Sequence, residues 1–244
     1  VSLASGSGHI EESLVVEHGW PVTSLLGLEY DDLLRANAAE RFSKIPGCAS
    51  RFEFFDFNAA EIPEEQFDIV FTCHSIHHAS DVEGLLLKIN RMLKPDGLMI
   101  GIDFFGPTRF QIEYEVFPIL QELFNYLSPE LRRNLSIPEM NIQEEFTYAT
   151  IEELRAADPS ESVRSSDLRT LLFSTFPVVD IRPMGGTLLR WLFQYRAGNF
   201  DPGNPDHIPI VRLLQFIESE LIAERRIKSD DLFFVLRKSD RLPG

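Results

Sequence analysis

Along the first hundred residues, short apolar runs alternate with stretches whose apolar positions recur at helical spacing. Val1 to Ala4 reads as a buried strand, followed by the turn Ser5-Gly6-Ser7-Gly8 and a helix from Ile10 to Glu17 that His18-Gly19 ends. Thr23 to Leu28 is a second strand ending in Glu29, Asp31 to Phe42 a helix, and Arg51 to Phe55 a third strand. Phe67 to Thr72 is apolar without alternation, as expected of a strand covered on both faces of a parallel sheet. Ser80 and Glu83 read as a capping box, and Val82, Leu85, Leu86, Ile89 and Leu93 share one helical face. Lys94-Pro95-Asp96-Gly97 then turns into the strand Leu98 to Ile102, with Asp103 at its tip. Residues 59–66 are too short for a helix assignment. The pattern predicts an α/β fold with a doubly wound, mostly parallel sheet.

After Gly106 the rhythm changes. Residues 106–158 carry helix signals and no clear strand: Ile112 to Leu127 at helical spacing but interrupted by Pro118, a helix opening at Ser128-Pro129, and a capping box at Thr150 and Glu153. Ser165 to Phe173 reads as a helix, Val178 to Arg182 as a strand, and Thr187 to Arg196 as helical after Gly185-Gly186. Ile210, Leu213, Leu214, Ile217 and Leu221 define an amphipathic helix, and Asp231 to Lys238 is a final strand, the seventh. The expected organisation is a ligand-binding half of the core over 1–105, a helical cap over 106–158, and the rest of the core over 159–244.

Composition narrows the partners. The chain of 244 residues is 44% hydrophobic, enough for one large α/β domain. The net charge of −15 and the lack of Lys/Arg clusters argue against DNA or large RNA, with Arg225-Arg226-Ile227-Lys228 read as capping a helix C-terminus. No apolar run reaches the roughly 20 residues that span a bilayer. No signal-peptide pattern is present, and Cys48 and Cys73 form no CxxC pair, so a cytoplasmic setting is expected. A small-molecule substrate is the expected partner, with the oligomeric state open and a homodimer among the options.

The chemistry starts at the glycine turn. Gly6 and Gly8 let the backbone turn sharply and a ligand approach. Glu29, at the tip of the next strand, is placed to accept hydrogen bonds from the hydroxyls of a ribose. A dinucleotide fingerprint would put glycine where Glu11 stands, and a carboxylate there disfavours a pyrophosphate. An adenosine without phosphates fits better.

These residues, together with FDIVFTCHSIHH and INRMLKPDGLMIGIDF, resemble the class I S-adenosylmethionine (SAM)-dependent methyltransferases over Val1 to Asp103. Ala4 stands where that family usually has its first glycine, and Ser2 where it often has an acid. Members often carry a further helix ahead of this strand. DFFGPTRFQ, DPSESVRSSDL and GGTLLRWLFQYRAGNFD resemble a bacterial branch of uncharacterised methyltransferases. The resemblance implies SAM as cofactor and S-adenosylhomocysteine as product. It assigns Ala4, Gly6, Ser7 and Gly8 to the methionine and ribose region, Glu29 to the ribose, and Tyr30, Asp56, Phe57 and Asn58 to the adenine. Cys73, His74 and Ser75 would lie beside the methionine tail.

His77 and His78 are the candidate general bases, since imidazole titrates near neutrality. His74, His77 and His78 crowd one loop and lack paired ligand spacings, so no metal site is expected. Asp103, Arg109 and Arg190 are the candidate substrate contacts, the arginines for an anionic group. The expected activity is methyl transfer to O or N of a small acceptor, perhaps a sugar or another metabolite. The rival readings are a catalytically silent SAM- or partner-binding protein and, less favoured, an NAD(P)-dependent oxidoreductase.

Overall fold

The computed structural model describes residues 1–58, 66–137 and 142–240. Its strands are β1 (Ser2–Leu3), β2 (Ser24–Glu29), β3 (Ala49–Phe54), β4 (Phe67–Cys73), β5 (Leu93–Phe104), β6 (Val178–Gly185) and β7 (Asp231–Arg237). They form one sheet in the order β3-β2-β1-β4-β5-β7-β6. The pairings of β1 with β2, β1 with β4, β2 with β3 and β4 with β5 are all parallel. The order runs outward from β1 in both directions, so a switch point lies between β1 and β4. The helices are α1 (His9–Val16), α2 (Asp32–Phe42), α3 (Val82–Met92), α4 (Phe117–Tyr126), α5 (Ile151–Ala157), α6 (Ser165–Thr175), α7 (Leu189–Phe193) and α8 (His207–Ala223).

Register aligns the strand tips. Leu3 pairs with Leu28 on one side and Thr72 on the other; Glu29 pairs with Phe54 and Cys73 with Ile102. The segments beginning at Ala4, Tyr30, Phe55, His74 and Asp103 therefore leave one edge of the sheet, the carboxyl edge where open α/β sheets bind ligands. The apolar stripe of α3 is buried at Val82, Leu85, Leu86 and Ile89, as its spacing predicts.

Local signals resolve differently at four places. The N-cap of α3 is Asp81, whose carboxylate accepts the Gly84 N–H at 3.0 Å. Glu83 instead pairs through both oxygens with Arg164, at 2.6 and 2.9 Å. The guanidinium fork outcompetes a capping box at that carboxylate. Pro118 does not interrupt a helix but lies in the first turn of α4, where its missing N–H has no intrahelical partner to lose. Ser128-Pro129 opens turns rather than a helix. The Leu131 and Arg133 carbonyls, which a helix would use, accept the Asn199 side chain, and Arg133 bridges to Ile142. The run Thr187 to Arg196 is helical only over α7. The residues expected to be too short for a helix, 59–65 of 59–66, lie outside the described residues.

The chain divides into two compact units. Unit 1 comprises 1–104, 162–182 and 233–244; unit 2 comprises 105–161 and 183–232. Unit 1 is built on the sheet, with Leu3, Leu28, Val70, Leu86 and Phe234 buried in its core. Unit 2 has its own core, in which Leu120, Phe124, Phe146, Trp191, Leu192 and Leu214 pack together.

Candidate functional site

In unit 1, the turn between β1 and α1 is held in left-handed backbone at Ala4 (φ 48°), Gly6 (φ 54°) and Gly8 (φ 72°). The two glycines serve different ends. A Cβ on Gly8 would come within 3.2 Å of the Ala38 Cβ and 3.3 Å of the Phe42 ring, so its bareness lets the turn pack on α2. A Cβ on Gly6 would meet nothing within 4 Å, so its bareness leaves open space at the crest of the turn.

Glu29, at the tip of β2, anchors that turn. Its carboxylate accepts the Gly6 N–H at 2.8 Å through Oε2 and the Asp31 N–H at 2.9 Å through Oε1. A carboxylate offers about four acceptor positions, so each oxygen keeps one for a further donor. That capacity matches two neighbouring hydroxyls of a ribose. Two arginines of α2 complete the frame. Arg41 donates to the Ser7 carbonyl at 3.1 Å and pairs with Glu12, while Arg35 donates to the Glu29 carbonyl at 3.1 Å. Neither stood out in the sequence, because each holds backbone rather than matching a motif.

Glu11, the residue that breaks the dinucleotide pattern, is buried, and its Oε1 accepts the Ser2 hydroxyl at 2.5 Å. Burial raises its carboxyl above the usual range, against the lowering effect of the Ser2 hydrogen bond. With Glu12 it makes the first turn of α1 acidic, which works against a phosphate there.

The next strand tips carry the candidate adenine residues. Tyr30 is largely exposed, its ring 5.4 Å from that of Phe54. Asp56 accepts the Asn58 N–H at 2.8 Å, and Phe57 packs edge-on against Phe55 at 5.7 Å. Asn58 Oδ1 accepts the Ser80 N–H at 2.9 Å and the Ser80 hydroxyl at 2.7 Å, which ties this tip to the approach to α3.

Beyond β4, Cys73 ends the strand and His74 takes left-handed backbone (φ 49°). Ser75 is buried, its hydroxyl 2.6 Å from the Thr72 hydroxyl. Asp103 is fully buried at the end of β5. Its Oδ2 accepts the Ser75 and Ile76 N–H groups at 3.0 and 2.8 Å. Its Oδ1 lies 2.6 Å from His77 Nδ1 and accepts the Phe104 N–H. Burial alone would raise the Asp103 carboxyl; the hydrogen bond and charge of His77 and the backbone donors outweigh it, and the net shift is downward. The carboxylate is thus taken up in shaping the loop and orienting His77. His77 itself is buried, with the His78 ring centroid 4.4 Å away.

Arg109 and Arg190 belong to unit 2. Arg109 (φ 61°) donates to the Pro159 carbonyl at 2.6 Å, and Arg190 forms an ion pair with Asp231 and lies 5.0 Å from the Phe110 ring centre. Asp230, which no sequence pattern marked, is buried beside this pair, its carboxyl pushed up to about 7 by burial and by the charges of Glu113 and Asp231.

Residues 1–101 match the family described as a methyltransferase domain. An uncharacterised methyltransferase of Bacillus subtilis, YcgJ, is 29% identical over 94 residues, 38% of this chain and 34% of that protein. The ubiquinone/menaquinone biosynthesis C-methyltransferase UbiE of Desulfotalea psychrophila is 24% identical over 139 residues, 57% of this chain and 53% of that protein. The chain thus spans between a third and about half of the length of these curated relatives. Among solved structures, a methyltransferase from Mesorhizobium loti superposes with a TM-score of 0.50 at 15% identity, covering 97% of this chain and 88% of that one, a likeness of fold. No helix among the described residues is long and apolar enough to cross a membrane.

Proposed function

We propose that this protein, whose residues 1–101 match a methyltransferase domain, is a class I SAM-dependent methyltransferase that binds SAM at the carboxyl edge of unit 1 and transfers its methyl group to O or N of a small-molecule acceptor. The observation that carries the reading is the Glu29 carboxylate, fixed by the Gly6 and Asp31 amides and retaining two acceptor positions beside a turn with open space at Gly6. When bound, SAM would supply a methyl group on a positively charged sulfur. Glu29 would take the ribose hydroxyls, Ala4 to Gly8 would line the methionine and ribose region, and Tyr30 and Asp56 to Asn58 would meet the adenine. Cys73, His74 and Ser75 would flank the methionine tail.

Methyl transfer is an in-line displacement, so placement of the acceptor supplies much of the rate. An oxygen or neutral nitrogen nucleophile also releases a proton. His77 is the better of the two candidate bases, because Asp103 fixes its ring through Nδ1 and would stabilise the imidazolium once a proton is taken. His78 lies against the His77 ring.

Calorimetric titration with SAM, S-adenosylhomocysteine and NADH, with Glu29→Ala as control, tests the cofactor. Binding of the two SAM ligands, weakened about tenfold or more in the variant by loss of charged hydrogen bonds, is expected. NADH binding alone would overturn the reading. Binding of SAM with no turnover across amine, hydroxyl and sugar acceptors would favour a silent binding protein.

A further inference from the structure

Unit 1 holds a cavity of about 170 Å³ between α1 and the amino ends of three strands. Ser2, Ser24 and Phe67, the first residues of β1, β2 and β4, all line it. It therefore lies at the sheet edge opposite the carboxyl edge. Leu14, Trp20, Leu25 and Phe71 make its walls mainly apolar. Glu11, also in the wall, is the exception. It is only 7% exposed. Its Oε1 accepts the Ser2 hydroxyl at 2.5 Å, while its Oε2 is buried with no hydrogen-bond partner among the described residues.

The positive groups nearby are committed elsewhere. Arg41 pairs with Glu12, and Lys94 pairs at 2.8 Å with Asp68, another lining residue. The Val1 nitrogen, also in the lining, donates to the Ile69 carbonyl at 2.8 Å. Of the groups that act on Glu11 through space, His9 favours its charge and Glu29 opposes it. A carboxylate set in an apolar wall, with one oxygen unanswered, calls for a positively charged donor. The space suits a ring-sized body, since a cavity of about 150 Å³ takes one benzene.

We propose that this cavity is a ligand site, separate from the carboxyl edge, for a small organic ammonium ion with an apolar ring. The ammonium donates to Glu11 and the ring lies among Leu14, Trp20, Leu25 and Phe71. An ammonium brings three donors and a full charge, whereas a neutral alcohol brings one donor and no charge, and an anion is repelled. Glu11 on α1 and Ser2 on β1 belong to the elements on either side of the glycine turn, so the ligand rests on the frame of that turn without entering it. The site does not depend on the methyltransferase reading.

The test titrates benzylammonium chloride into the full chain, followed by calorimetry and by the indole N–H signals of the two tryptophans in nitrogen-15 NMR, with Trp20→Phe identifying the Trp20 signal. Saturable binding that shifts the Trp20 signal and leaves that of Trp191 in place is expected. Benzyl alcohol and phenylacetate should bind at least about tenfold more weakly, and Glu11→Gln, which keeps an acceptor for Ser2, should weaken benzylammonium by about the same factor. No binding, equal binding of benzyl alcohol, equal binding to Glu11→Gln, or a shift at Trp191 alone overturns the proposal. Should Glu11→Gln fail to fold, Leu14→Phe serves: it narrows the cavity and keeps the carboxylate, so affinity should fall several-fold, and an unchanged affinity would count against the site. Saturating S-adenosylhomocysteine should leave benzylammonium binding intact; competition would put the probe at the cofactor edge and sink the proposal. A chain that binds benzylammonium but not SAM loses the methyltransferase reading and keeps this site.

Discussion

His77 Nδ1 lies 2.6 Å from Oδ1 of Asp103, a carboxylate with no exposed surface that also accepts the Ser75, Ile76 and Phe104 amides. One side chain thus closes the loop after β4 and sets the orientation of the imidazole. Its folded-state carboxyl is depressed, so its contribution to stability is present above the ordinary aspartate range and is lost as pH falls through the lower folded value. Asp103→Asn should cost about 1–3 kcal/mol in urea unfolding at neutral pH. The gap between the two proteins should close in strong acid. An undiminished gap there would mean that the loss comes from packing rather than charge.

The two glycines of the first turn separate fold from ligand. Gly8→Ala forces a Cβ against Ala38 and Phe42 in left-handed backbone and should destabilise by about 1–3 kcal/mol. Gly6→Ala carries only the backbone strain, about 1 kcal/mol, but fills the open space at the crest. Thermal melts and SAM calorimetry on both variants should show the larger stability loss at Gly8 and the larger affinity loss at Gly6.

Glu11 stands in the protein at a cost. Its Oε2 is buried without a hydrogen-bond partner among the described residues, and its carboxyl is raised chiefly by burial. Stability from such a group is full below the unfolded value and falls as pH rises toward the folded one. Glu11→Gln keeps an acceptor for Ser2 and removes the buried charge. Differential scanning calorimetry should show a higher melting temperature at neutral pH, by about 2–4 °C per kcal/mol gained, and no gain in mild acid.

The Glu83–Arg164 pair has good geometry but half-open side chains, 53% and 31% exposed. The Arg164 hydrogen bond is the chief cause of a Glu83 carboxyl lowered to about 2, so the contribution should fade only as pH drops from the ordinary glutamate range toward that value. Solvent screening limits it: Arg164→Ala should cost no more than about 1 kcal/mol, less in high salt. A double-mutant cycle with Glu83→Gln isolates the pair.

Much of unit 1 was legible because its signals are local. Apolar runs marked β2, β4 and the Leu98–Ile102 part of β5, though β5 already begins at Leu93 and runs through Lys94 to Gly97, where a turn was expected; the Gly6–Gly8 turn marked the bend before α1, and the stripe from Val82 to Ile89 marked the buried face of α3. The partners of these residues were not legible, because they come from distant positions. Asp103 read as a substrate contact, yet its neighbours lie 26 to 28 residues earlier. Arg41 reaches Ser7 across 34 residues, and Asn199 removes the carbonyls that a helix after Ser128 would need. Asp230 escaped notice for the same reason: one aspartate in an acidic chain looks like solvated surface until the fold buries it among other carboxylates.

The division of the chain has a consequence for engineering. Each unit is assembled from separate stretches, and the backbone passes from one to the other after Phe104, Glu161, Arg182 and Leu232. Both β6 and β7 are cut by these passages. Unit 2 therefore cannot be exchanged with that of a relative as one cassette. A chimera must graft two segments in register with two strands of the host sheet, and a one-residue slip in either would turn its inward side chains outward.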